Sequence, residues 1–234
     1  MKSGVMLAII CAAFASGARG STIYSGYDEF YAAQSNAAFS GPVEHDASVL
    51  YSNRDGDVYG YFDVKSNGRA VHVEVTGNRV TIGGRTYRFA DATTFSGEYP
   101  VEIYPGSANM FFTERTHRRP SALCVEGSGS GSGEANRRRQ IYLLINPLAP
   151  KKEVTFLHLP SLLSSCRAVL VTKDGTLAFP KNNYLLDDAQ ESRIGLLMSY
   201  YAFEKNRFVP VLNDIRLRFS RPDVPFQFSV QDKE

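Results

Sequence analysis

An all-β fold, built as an antiparallel sandwich or barrel of many short strands, is what this sequence predicts. Three observations carry that expectation. Residues 58–64 alternate, with Val58, Gly60, Phe62 and Val64 facing one way and Tyr59, Tyr61 and Asp63 the other, which is the period of a strand and not of a helix. The same period returns in "AVHVEV" (70–75) and in "IRLRFS" (215–220), with turn residues between the runs. The runs also follow one another too closely for crossover helices, so neighbouring strands pair antiparallel.

The first 20 residues, "MKSGVMLAIICAAFASGARG", hold one lysine, an apolar run from Val5 to Ala15 and then small residues, the pattern of an export signal cleaved after Ala18 or Gly20. The run is shorter than the roughly 20 apolar residues that a membrane-crossing helix needs, and no later stretch replaces it, so no transmembrane segment is expected in the mature chain. Cys11 follows Ile10 and not a small residue, so it does not read as a lipid-attachment cysteine.

In "YSGYDEFYAAQSNAAF" the near-helical spacing of Tyr24, Tyr27, Phe30 and Tyr31 allows a short N-terminal helix. "KSNG" (65–68), "TGN" (76–78) and the pair Gly83-Gly84 then punctuate a meander of four strands running to Phe89. Further strands are expected at 99–104, 110–116, 121–125, 140–146, 153–159 and 167–171, with only "PSLLSSC" (160–166) helical between them. The chain closes with "GLLMSYYAF" and "RFVPV" joined by "EKNR", followed by 215–220. "RAVHV" at 69 and "RAVLV" at 167 are alike, each leading into a glycine-containing turn and another strand. Branched apolar residues converge on such strings easily, so this is weak ground for a repeat.

Cysteine usage bears on domain organisation. The mature chain holds Cys124 and Cys166, and an exported pair in an oxidising compartment is expected to be bridged. Between them lies "CVEGSGSGSGEANRRRQ" (124–140), which resembles an interdomain linker. A disulfide across it would bolt its flanks together, so residues 126–139 are expected to be a glycine- and serine-rich surface loop inside one β-rich domain spanning 21–234.

Charge and motifs exclude more than they select. Of 26 basic residues, Lys2 and Arg19 leave with the leader, so 24 face 24 acidic ones; a neutral domain has no electrostatic footprint for nucleic acid. No nucleophile elbow, phosphate-cradling loop or dinucleotide fingerprint occurs, so no cofactor is expected. His72 and Glu74 share one strand face, where a carboxylate could orient an imidazole. Their valine neighbours nonetheless mark the buried face, which puts the pair on the solvated one. Adding Glu114 and His117 gives the only set from which a converging hydrolytic site could be drawn. "SNRDGD", with Asn53, Asp55 and Asp57, resembles a calcium-loop fragment but lacks the distal glutamate, and reads better as a solvated turn. Glu44, His45 and Asp46 are adjacent, so on an extended chain they point in opposite directions. No metal site is expected.

Two basic stretches border the glycine-serine run: Arg115, His117, Arg118 and Arg119 before it, and Arg137, Arg138 and Arg139 after it. Guanidinium groups suit bidentate recognition of carboxylate or phosphate, so these seven are the expected binding residues, able to gather on one rim if the strands beside them are neighbours. The functional expectation is an exported, periplasmic or secreted, non-enzymatic protein that binds another macromolecule, either a second protein or an anionic envelope component, as an inhibitor, an immunity-type protector or an envelope accessory factor. The rival expectations are an envelope hydrolase whose site converges from separate strands, and a small-ligand binder with a cavity inside a β-barrel.

Overall fold

Alternation and turn chemistry build the first part of the chain. The structure, a computed structural model, describes residues 22–44, 49–51, 58–129 and 137–231. The expected leader, His45 and Asp46, Asn53, Asp55 and Asp57, and positions 130–136 of the glycine-serine run lie outside the described residues. After β1 (Ile23–Tyr24) and helix α1 (Tyr27–Ala32) come β2 (Val49–Tyr51), β3 (Val58–Ser66), β4 (Arg69–Val75), β5 (Arg79–Ile82) and β6 (Arg85–Arg88). The last five form an antiparallel sheet in chain order. Two of its hairpins turn on Asn67-Gly68 and Gly83-Gly84, with positive φ at both residues of each pair, the turn handedness that matches strand twist.

The second sheet takes β7 (Asn109–Thr113), β8 (Ala122–Gly127), β9 (Arg138–Ile145), β10 (Thr155–His158) and β11 (Ser161–Leu162), in the order β10-β9-β8-β7 with β11 also on β9. The third holds β12 (Leu170–Val171), β13 (Leu177–Leu186), β14 (Arg193–Glu204), β15 (Arg207–Pro210), β16 (Ile215–Arg221) and β17 (Val224–Gln231), in the order β1-β17-β16-β14-β13-β12 with β15 beside β14. All strand pairs within these sheets are antiparallel. The all-β antiparallel fold is therefore present, with one short α-helix among the described residues.

Side-chain parity stacks the sheets. Val73, Val75 and Ile82 of the first sheet pack against Leu123, Val125, Tyr142 and Leu144 of the second. The alternate residues Cys124, Ile141 and Leu143 turn the other way, to Leu177 and Phe179 of the third. The far face of the third sheet, carrying Leu196, Met198 and Phe228, is covered by Tyr27, Phe30 and Tyr31 of α1. The second sheet is thus buried on both faces, and "ALCV" and "IYLLI" accordingly read as unbroken apolar runs where the half-exposed β4 alternates. Ring stacking fills the layers: Phe89 lies 3.8 Å from Tyr142 and Phe95 4.1 Å from Phe208.

A disulfide joins Cys124 of β8 to Cys166, in the 3-10 turn Cys166–Ala168, with S–S 2.06 Å and Cα–Cα 5.9 Å. Both cysteines are fully buried. Across the glycine-serine run, Gly127 is the register partner of Gln140 and Glu126 of Ile141, so the run connects two paired strands.

Three local expectations are corrected. Residues 99–104 form no strand; the segment is tied down by the Tyr142 hydroxyl, which binds both the N–H and the carbonyl of Val101, and Pro100 and Pro105 bracket it. Residues 160–166 are not helical: Ser161–Leu162 pairs with β9, and Leu163 takes φ 52° while its N–H donates to the Arg137 carbonyl. The helical turn falls instead at Cys166–Ala168, capped by the Ser165 side chain, so the strand expected at 167–171 shrinks to β12. "RAVHV" lies within β4 while "RAVLV" spans that turn, so the two strings share no element. A strand not foreseen, β17, carries Pro225, the residue that argues against a strand in any sequence reading. Among the described residues no helix is long and apolar enough to cross a membrane.

Candidate functional site

Helix α1 places its three aromatics at i, i+3 and i+4, one face of a helix. Tyr27 stacks on Phe228 at 4.7 Å, and Phe30 meets the same ring edge-on at 5.8 Å. A helix of six residues is only about 9 Å long, so it covers only part of the sheet. Phe226, two residues before Phe228 and within the register irregularity where β17 meets β16, is left 53% exposed. The start of β9 and the segment 163–165 bound the space beside it as an open cleft of about 320 Å³, whose walls include Tyr27, Asp28, Arg137, Arg139, Ser164 and Phe226.

Two arginines, Arg137 and Arg139, line this cleft. The Arg139 guanidinium donates from Nη1 to Glu126 Oε1 at 2.7 Å. Glu126 is 3% exposed, and its second oxygen accepts the Cys166 N–H at 2.6 Å. Burial raises the Glu126 pKa, and the Cys166 N–H and the Arg139 charge pull against that rise without cancelling it. The carboxylate thus anchors Arg139 beside the disulfide and offsets its charge. The Arg137 guanidinium lies 6.0 Å over the Phe226 ring, and its Nη1 donates to the Tyr184 hydroxyl at 3.1 Å. Arg193 stacks in turn on Tyr184 at 4.6 Å. The Tyr27 hydroxyl is buried with no hydrogen-bond partner; burial holds its pKa far above the tyrosine range, the phenols of Tyr31 and Tyr184 add to the rise, and Arg137 opposes it.

The other expected binding residues lie elsewhere. Arg115, His117 and Arg118 are exposed in the turn ahead of β8, and Arg119 donates to the Ala38 carbonyl at 3.0 Å. Arg138 is exposed opposite Leu162 of β11. Residues 115–119 precede Ala122 while Arg137–Arg139 stand beyond its far end at Gly127. The two basic clusters therefore occupy opposite ends of β8, about 17 Å apart along the strand, and do not share one rim.

Nor are the four residues considered for hydrolysis joined. His72 Nδ1 pairs across the strands with Asp63 Oδ1 at 3.0 Å, both side chains well exposed. Glu74 faces Arg79 at 3.9 Å, and Glu114 accepts the Asn67 N–H at 2.7 Å. No hydrogen bond or ion pair among the described residues links any two of His72, Glu74, Glu114 and His117. Among them, too, no three His, Cys, Asp or Glu side chains are grouped to hold a metal. His158 is fully buried on Tyr142, Nε2 2.7 Å from Gln140 Oε1, and is a packing residue.

Sequence reasoning reached Arg137 and Arg139 but not Glu126, Tyr27, Tyr184 or Phe226. A charge two residues after a bridged cysteine in an apolar run was the available signal for Glu126. Phe226 lies in the strand its own neighbour Pro225 concealed. No family model matches the chain, and no curated protein or solved structure does.

Proposed function

We propose that this is an exported, periplasmic or secreted, non-enzymatic protein that binds another macromolecule by docking a segment of it in the Arg137–Phe226 cleft. The observation that carries the reading is an arginine stacked over a half-exposed phenylalanine at the mouth of an open cleft, since aromatic and arginine side chains dominate binding energy at protein interfaces. A partner carboxylate laid on Phe226 meets a guanidinium already ordered by Tyr184, which lowers the entropy cost of docking. The Tyr27 hydroxyl offers a buried donor to the same segment. A buried disulfide fits an oxidising compartment, and the expected leader would deliver the chain there. The hydrolase alternative loses support because each of His72, Glu74 and Glu114 has a different partner. The barrel-cavity alternative loses support because rings fill the space between the sheets.

A photo-crosslinking residue at position 26, where glycine lines the cleft and an added Cβ meets nothing within 4 Å, tests this in the full chain. We expect one discrete adduct in the envelope of the source cell, reduced about tenfold by Arg137→Ala, the equivalent of about 1.4 kcal/mol, and unchanged by Arg138→Ala. No adduct, or one indifferent to Arg137→Ala, overturns the reading.

A further inference from the structure

A second cavity, of about 280 Å³, opens on the C-terminal side of α1 and is lined by Arg119, Arg167, Ser35, Ser40, Phe39 and Thr113 among others. We infer that this cavity is a binding site for a phosphoryl group, held between the Arg119 and Arg167 guanidiniums. It is independent of the partner cleft, with which it shares only Tyr31 as a lining residue.

Charge carries the argument first. The two arginines line the cavity and no carboxylate does. Arg167 reaches Asp28 only at 4.0 Å, and that carboxylate is 81% exposed, where an ion pair is worth little. Arg119 has no ion-pair partner among the described residues. Its Nη1 donates to the Ala38 carbonyl at 3.0 Å, but its Nε is buried with nothing to bind. A cation withdrawn from water without a counter-charge is costly, and an anion entering the cavity removes that cost.

The chemistry of the walls then selects the anion. Two guanidiniums match the two negative charges of a phosphate monoester, and their planar forks suit its oxygens. Ser35, Ser40 and Thr113 bring hydroxyl donors of the kind a tetrahedral group can use in addition. Phe39 and Phe112 form an apolar side against which the ester carbon can rest. The Arg167 guanidinium, 5.8 Å over the Phe111 ring, is oriented by that stacking and keeps its edge for the ligand. At this volume the cavity takes a phosphoryl group with a small substituent, at the low end of small-ligand sites.

Calorimetric titration of the intact mature protein with inorganic phosphate, at constant ionic strength against chloride, tests the site. Saturable binding is expected, weakened at least tenfold by Arg167→Gln and by Arg119→Gln and unchanged by Arg138→Gln. Affinity should rise between about pH 6 and pH 8 as inorganic phosphate, whose second pKa lies about one unit above the ~6 of a phosphate ester, becomes a dianion, while sulfate, a dianion throughout, binds with no such rise. Should Arg119→Gln fail to fold by circular dichroism, Arg167→Gln carries the test, because that side chain makes no hydrogen bond to the core. Acetate binding as tightly as phosphate, affinity kept in the Arg167→Gln protein, or no saturable binding each overturns the assignment.

Discussion

His158 shows how one buried residue couples this fold to pH. Its ring is enclosed, with Nε2 held by Gln140 and Nδ1 without a partner, and burial pulls its pKa from 6.5 down to about 4. The folded protein keeps it neutral while the unfolded chain protonates it below 6.5. The unfolded state therefore binds more protons across that window, and stability present above it is lost as pH falls. The loss between pH 7 and pH 5 is about 2 kcal/mol on this account. Glu126 works in the opposite sense, since its raised pKa lets the native state take a proton first as pH falls. Comparing wild type with His158→Gln cancels that contribution. Urea unfolding at both pH values should show the variant losing about 2 kcal/mol less than wild type; parallel losses would remove His158 from the account. None of this was legible in "TFLHLP", where a histidine among apolar residues reads equally as exposed or enclosed until Gln140 is brought across from β9.

At the scale of elements, the meander was legible because its determinants are local. Period-two alternation and two turn pairs with positive φ specify β3 to β6 without reference to the rest of the chain. Where an element depends on what lies beside it, sequence reading failed: 99–104 has strand-like residues but is held by Tyr142 from another sheet. Close approach between strands is similarly invisible. Gly195 in β14 sits where an added Cβ would lie 2.2 Å from the Leu217 carbonyl oxygen of β16, whereas one at Gly41 meets nothing within 4 Å. Backbone cannot yield as a flexible side chain does, so Gly195→Ala should cost at least about 2 kcal/mol, and Gly41→Ala little. Thermal melts of the two variants side by side check this, and a Gly195→Ala protein as stable as wild type would refute the contact.

For the molecule as a whole, the disulfide links the doubly buried sheet to the turn that leads into the third. Its sequence separation of 42 residues restricts the unfolded chain by about 4 kcal/mol on the chain-entropy account. Cys124→Ala with Cys166→Ala should lower unfolding free energy by about that amount. Because both cysteines are 0% exposed, reductant and thiol label should reach them in the wild type only once urea unfolds it. Labelling without denaturant, or undiminished stability of the double variant, would contradict this picture. The site follows the same division. Two arginines of the cleft were evident as a basic run, but Tyr27 and Phe226 come from segments 87 to 112 residues away in the chain, and Glu126 from the opposite side of the glycine-serine run.

Read alone, the chain specifies its strand period, most of its turns and, from the pairing expected of its cysteines, the Cys124–Cys166 cross-link. Those features depend on neighbours a few residues away or on redox chemistry, and both are written in composition and spacing. The stacking of three sheets, the burial of Glu126 and His158, and the opening of an arginine cleft on either side of a six-residue helix were decided by folding. Each arises where side chains from distant segments compete for the same space and the same shortage of water, a contest no short stretch of sequence contains.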